Sequence, residues 1–346
     1  MEKFTMNDTT IAFIGLGLIG GSLAKGIKKA RPDIRIMAYM RTRSKLEQAK
    51  KDGIVDVILD GIDEQLKQCD LIFLCTPVEY NAQYLSKIRS YLKPGALITD
   101  VGSTKTDIHK EILRQGLTDC FVGGHPMAGS EKTGYENATD HLLENAYYIV
   151  TPPEGFNQNG CGYGNISPKY SENVKRVIAV AQTVGAIPLV LDYKEHDTVV
   201  AAISHLPHLV ASSLVNLVKD SDSPAETMKQ VAAGGFKDIT RIASSSPEMW
   251  EQICMTNSEP IADMLERYID SLQDILSEIK GHQGNAIYKL FEKSRDYRNT
   301  ITDRAKGSVE PSYAFSVDMA DEVGAISTIA VILAAKGISI KKYWYQ

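Results

Sequence analysis

Apolar positions in the first 150 residues fall in short runs, separated by turn residues and by stretches of helical spacing. TIAFIGLG is apolar up to its first glycine, and IGGSLAKGIKKA then reads as a helix. DIRIMAYM and TRSKLEQAKKDG repeat the pair, the second helix closing on a glycine. DLIFLCTP, ALITDVGS, CFVGGHP and AYYIVTP follow as further short runs, and LIFLC and YYIV are continuous enough to be covered on both faces. This alternation predicts βαβ units and a parallel sheet. Residues 152–169, rich in Gly, Asn and Pro, predict a loop. A helix near 170–185 and the strand AIPLVLD complete one more unit.

From Glu195 to about Asp303 the pattern is helical throughout. DTVVAAISHLPHLVASSLVNLV exceeds any strand in length and predicts a buried helix, with Pro207 expected to kink it. The last residues revert to β-α-β in SYAFSVDM, VGAISTIAVILAAKG and ISIKKYWY. The expected fold class is α/β. A Rossmann-type dinucleotide-binding domain (1–192) precedes an all-helical domain (193–305) and a short β-α-β tail (310–346).

Composition narrows the partners. A length of 346 residues suits two domains and a small third piece, and 43% hydrophobic with 23% charged residues is ordinary for a globular chain. The net charge of −5, with no dominant basic block, argues against a nucleic-acid partner and makes any anion site a local one. Five cysteines, scattered, odd in number and without CxxC spacing, point to a reducing cytoplasm rather than a disulfide framework. The N-terminal MEKFTMNDTT lacks a signal peptide's apolar core, and no run is expected to cross a membrane.

Candidate chemistry begins at Gly15-Leu-Gly17-Leu18-Ile19-Gly20, between a strand and a helix. There Gly15 permits a tight turn, Gly17 leaves room for a pyrophosphate, and Gly20 lets helix and strand pack closely. The acidic residue usual about 20 positions on is absent; the second strand ends Tyr39-Met40-Arg41-Thr42-Arg43. Arg41 and Arg43 suit a 2′-phosphate, which would favour NADP, or form a solvated basic turn.

Asp100-Val-Gly-Ser103-Thr-Lys105 and GGHPMAGSEKTG, holding His125, each end a strand at the carboxyl edge, where ligands of open α/β sheets bind. Ser204-His205-Leu-Pro-His208 sets two histidines at i, i+3 on one helix face. Gly234-Gly-Phe-Lys-Asp238-Ile-Thr-Arg241 sets an arginine beyond an aspartate. Each also has a plainer reading. His125 would be a hydrogen-bonded structural histidine, His205 and His208 packing groups, Arg241 a buried partner of Asp238, and Trp250 a core side chain. HLPH lacks a third ligand, so no metal is expected.

Taken together, GLGLIGGSLA, DVGSTK, GGHPMAGSEKTG, SHLPH and GGFKDITRIASSSPEMW, in this order, closely resemble the prephenate dehydrogenase family over roughly residues 10–305. The resemblance implies oxidative decarboxylation of prephenate to 4-hydroxyphenylpyruvate with NAD. His125 would accept the substrate hydroxyl's hydrogen bond, with activity rising near an ordinary histidine pKa of about 6.5. Ser103 would touch both hydroxyl and nicotinamide, and Arg241 would grip a carboxylate. Ser130 and Glu131 would lie near the substrate's side-chain end; His205, His208 and Trp250 would line the cleft. Leu18, Ile19, Arg41 and Thr76 would join the glycines around the cofactor. It also implies a homodimer through interlocked helices. The tail looks like the first half of an amino-acid-binding ACT domain, with Val323 in place of the usual proline, so tyrosine inhibition is an open question. Three other readings remain. One is arogenate dehydrogenase. A second is a β-hydroxyacid or imine dehydrogenase, which would need a catalytic lysine that SHLPH does not offer. The third is a non-catalytic NAD(H) or amino-acid sensor.

Overall fold

The computed structural model describes residues 9–129, 132–153, 168–301, 322 and 324–337. Five parallel strands form the main sheet: β1 (Thr10–Ile14), β2 (Arg35–Tyr39), β3 (Val57–Ile58), β4 (Leu71–Leu74) and β5 (Leu97–Asp100), in the order β3-β2-β1-β4-β5. Chain order reverses at β1, so the crevice at the carboxyl ends of β1 and β4 is the ligand position of such a sheet. The strands are apolar on both faces because both faces are covered. Ile11 and Phe13 of β1 face one core with Leu23 and Ile27, and Ala12 and Ile14 face the other with Leu85, Ile88 and Ile112.

Helices α1 (Leu18–Ala30), α2 (Arg43–Lys51), α3 (Asn81–Ile88), α4 (Thr106–Gln115) and α5 (Pro168–Thr183) cover the sheets. A second sheet, β6 (Gly123–Pro126), β7 (Tyr147–Thr151) and β8 (Ile187–Val190), follows through a single bridge between Ile98 and Phe121. Here the expected all-parallel arrangement is corrected: β6 and β7 run antiparallel. Among the described residues, the segment joining them holds a short 3-10 turn and no crossover helix of the kind a parallel pair needs.

From Tyr193 the chain is helical. α6 (Tyr193–Val200), a π-turn (Ala201–His205) and α7 (Leu206–Ser221) form one continuous run of 29 residues. The expected kink becomes this widened turn. Pro207 sits in the first turn of α7, where its missing N–H matters least, and the π-turn before it takes up the irregularity. By length and composition the run could cross a membrane, contrary to the sequence expectation. It also carries buried His196, Asp197 and His205, which bond within the protein. Helices α8 (Thr227–Val231), α9 (Gly234–Thr240), α10 (Pro247–Thr256), α11 (Ser258–Lys280) and α12 (Gly284–Thr300) complete this part.

Contacts divide the chain at Ser308 and Val309. In the second unit the described element is α13 (Ala325–Ala335), entered through Gly324 at φ +92°. Val323 and the two strand-like segments of the tail lie outside the described residues.

Candidate active site

The glycine loop fits a dinucleotide on steric grounds. Gly15 has φ +94°, and a Cβ there would stand 2.6 Å from the Cys75 carbonyl oxygen. A Cβ on Gly20 would meet the Gly15 oxygen at 2.9 Å. On Gly17, the N-cap of α1, it would meet nothing within 4 Å among the described residues, and no described side chain caps the helix. Two glycines are therefore required by packing and the third leaves open space before uncapped N–H groups, as a pyrophosphate needs. Leu18 and Ile19 open α1 half-buried, and Thr76 donates from Oγ1 to Asn81 Oδ1 at 3.3 Å. Arg41 lies exposed, 5.1 Å above the Tyr80 ring, whereas Arg43 is tied to Asp60 and Glu47. The described cysteines are free thiols, Cys69 buried in the core.

The DVGSTK and GGHP turns share one anchor. Asp100 at the end of β5 is buried and ion-paired with the buried Lys105. Its carboxylate accepts from Gly102 N at 2.9 Å and from Gly124 N at 3.1 Å. Ser103 and His125, both half-buried, therefore ride on backbone fixed to one carboxylate. The glycines before His125 answer to packing. A Cβ on Gly123 would collide with Thr151 Oγ1, and one on Gly124 would stand 2.7 Å from the Asp100 carbonyl oxygen and 2.8 Å from Tyr148 Oη. Packing against residues remote in sequence demands glycine there.

The His125 ring meets His196, with 2.8 Å between Nδ1 and Nε2. In turn His196 Nδ1 lies 2.8 Å from Asp197 Oδ1. The Asp197 carboxylate also accepts from Lys105 N at 2.8 Å and Thr106 N at 2.7 Å, capping α4 from another element. Burial, then the neighbouring His196, Lys105 and His205, hold the His125 pKa well below the ordinary value. A lowered pKa lets an uncharged ring persist to lower pH than the ordinary value of about 6.5, so the acid limb is expected below that value.

Histidine 205 is buried, and burial lowers its pKa to about 4. Asn257 Nδ2 donates to His205 Nδ1 at 3.0 Å and to the Asp197 carbonyl at 2.9 Å, which leaves His205 Nε2 carrying the proton. The half-buried His208 donates from Nδ1 to the Ser204 carbonyl at 2.8 Å. Trp250 stacks on His208 at 3.8 Å between centroids and meets His205 edge-on at 5.9 Å. Its Nε1 is buried with no hydrogen-bond partner among the described residues. Arg241 is close enough to lower the pKa of His208, after the larger effect of burial. The alternative of a buried pair with Asp238 is corrected: Arg241 is exposed and makes no ion pair with a described residue.

A connected series thus runs from His208 through Trp250, His205, Asn257, Asp197 and His196 to His125, with Arg241 close to its His208 end. Ser130 and Glu131 lie outside the described residues. Sequence reading passed over His196, Asp197 and Asn257. Asp197 shares a helix face with Ala201 and His205, and a carboxylate on that apolar face was the available signal. Nothing in the sequence marks Asn257.

Residues 23–160 match the family described as "Prephenate dehydrogenase, nucleotide-binding domain", and residues 192–293 match "Prephenate dehydrogenase, dimerization domain". The chain is 37% identical over 335 residues to prephenate dehydrogenase of Bacillus subtilis (strain 168), covering 96% of this chain and 86% of that protein. It is similar to the crystal structure of A. aeolicus prephenate dehydrogenase in complex with hydroxyphenyl propionate and NAD+. The TM-score is 0.75 at 29% identity, covering 87% of this chain and 100% of that one. It is also similar to Synechocystis arogenate dehydrogenase, with TM-score 0.72 at 28% identity over 84% of this chain and 99% of that one.

Proposed function

The chain belongs to the prephenate dehydrogenase family, and from that membership we propose how its own residues oxidise and decarboxylate prephenate to 4-hydroxyphenylpyruvate with NAD. The carrying observation is the arrangement of His125 and Arg241. His125 is joined to His205 and Trp250 through His196, Asp197 and Asn257, and Arg241, without a described carboxylate partner, lies near enough to His208 on the far side of Trp250 to lower its pKa. Gly15, Gly17, Leu18, Ile19, Gly20, Arg41, Thr76 and Ser103 would hold NAD, which when bound supplies the hydride acceptor. His125 accepts the substrate hydroxyl's hydrogen bond, and Ser103 donates to the same oxygen. Arg241 holds a substrate carboxylate through its planar fork of donors. His205 offers an N–H, and the unpartnered Trp250 indole N–H has a donor's place open to a substrate oxygen. Decarboxylation makes the ring aromatic, so the enzyme's task is alignment more than driving force.

We assign these tasks to a cofactor-binding part (1–192) and a substrate part (193–305), with residues 310–346 as a separate segment. The protein acts as a cytoplasmic homodimer. The apolar face of α11 supports that state: Ile269, Leu272, Leu276 and Ile279 are all exposed in the single chain, at the spacing of one helix face. Arogenate is the second substrate reading, favoured by the likeness to the Synechocystis arogenate dehydrogenase. NADP use has the exposed Arg41 and the missing carboxylate after β2 in its favour. Initial rates for prephenate or arogenate with NAD or NADP, with and without tyrosine, test the set. Fastest turnover is expected for prephenate with NAD; no reduced nicotinamide from any pairing would overturn the enzyme reading.

A further inference from the structure

The second histidine behind His125 has no part in the reading above. His196 is fully buried, as is Asp197 next to it. Burial would raise the Asp197 carboxyl, but hydrogen bonds from His196 and Thr106 outweigh it and keep the group below the usual carboxylate range. Asp197 is therefore an ionised acceptor, and a carboxylate cannot donate. The hydrogen bond at 2.8 Å must then be given by His196 Nδ1. Burial keeps His196 uncharged, so its Nε2 carries the lone pair. Across the next 2.8 Å contact, His125 Nδ1 must be the donor. One acceptor site is left on the catalytic ring, at Nε2. Free imidazole side chains choose between two such forms; this ring has the choice made for it by two neighbours.

We propose that His196 and Asp197 are positioning residues that lock His125 in its Nδ1-protonated form and leave Nε2 to receive the substrate hydroxyl's proton. The proposal rests on His125 being the base. As the ring carbon gives up its hydride, the O–H electron pair forms the C–O π bond and the proton moves to Nε2. The carboxylate's C–C pair enters the ring as carbon dioxide leaves, and the phenolic oxygen regains the proton, so none is released overall. The positive charge on His125 is stabilised through His196 by Asp197, which keeps its own charge throughout. Asp197 has a second grip. Through Lys105 N and Thr106 N it fixes the turn that carries Ser103, so one carboxylate registers both the acceptor and the donor at the reacting hydroxyl.

Nitrogen-15 NMR of the histidine-labelled full-length protein reads this directly, with His125 assigned by its loss in His125→Asn. The wild-type ring is expected to show a protonated Nδ1 and an unprotonated Nε2. An Nε2-protonated ring overturns the proposal with His196 and Asp197 left unchanged. His196→Phe removes the acceptor at similar size. Its kcat is expected to fall roughly 10–100-fold, the usual cost of losing such a supporting partner, with the KM for prephenate little changed. His196→Gln keeps an acceptor for Nδ1 and is expected to recover part of that loss. Wild-type turnover in His196→Phe, beside a strongly impaired His125→Asn, overturns the relay alone. Wild-type turnover in His125→Asn removes the base, and the relay with it.

Discussion

Gly124 donates its backbone N–H to the buried carboxylate of Asp100 at 3.1 Å, so the residue ending β5 holds the backbone immediately before His125. The same carboxylate neutralises the buried Lys105. Asp100→Asn would leave that ammonium in the interior without its counter-charge. The expected loss is about 3–5 kcal/mol of unfolding free energy, read from chemical denaturation, together with impaired turnover. A variant as stable as the wild type would show that Asp100 does not anchor the two turns.

The glycine loop separates packing from binding. Gly15→Ala meets both a positive φ and the Cys75 carbonyl, so it is expected to lower the melting temperature. Gly17→Ala meets no described neighbour and should melt as the wild type does, yet bind NAD at least tenfold more weakly (about 1.4 kcal/mol). Thermal scans and NAD titrations of both variants check the contrast. Equal NAD affinity in Gly17→Ala would take the pyrophosphate away from this loop.

Arg241 lies close enough to His208 to lower its pKa, and His208 stacks on Trp250. Arg241→Ala should therefore chiefly raise the KM for prephenate, by roughly the one to two decades of a lost charge-assisted hydrogen bond. Arg241→Lys should restore the charge but not the fork. An unchanged KM would remove Arg241 from the site.

The pH profile follows from burial. The His125 pKa lies well below 6.5, and Lys105, His196 and His205 lower it further, while Asp100 and Asp197 are the acidic groups nearby. A protonated ring cannot accept the hydroxyl proton, so kcat/KM should stay level below pH 6.5 and fall only at more acidic values. Stability moves the same way. His109 and His205, lowered to about 3 and about 4 by burial, protonate first in the unfolded chain. Their contribution is complete above about 6.5 and is lost as pH falls toward those values. Rates must accordingly be taken where far-UV circular dichroism shows the fold intact. An acid limb centred at 6.5 would mean the ring is solvated.

Seven of the eight described strands, and the change to an all-helical pattern after β8, were visible in the sequence because buried parallel strands must be apolar throughout and amphipathic helices repeat at their own period; β3, two residues long, was too short to stand out. The antiparallel β6–β7 pairing was not visible, since nothing in the run AYYIV states its direction. GGHP marked an unusual site, but its glycines reflect Thr151, Asp100 and Tyr148, residues remote in sequence. His196 and Asp197 escaped notice because they sit in an ordinary helix start; only packing across the seam sets them against His125, Lys105 and Thr106.

The central claim is that His125 acts in the transition state rather than in binding. The most direct measurement is kcat for His125→Asn beside its dissociation constant for prephenate. Turnover is expected to fall by roughly 10²–10⁴ with affinity nearly unchanged. A variant that turns over normally, or one whose whole loss lies in weaker binding, would contradict it.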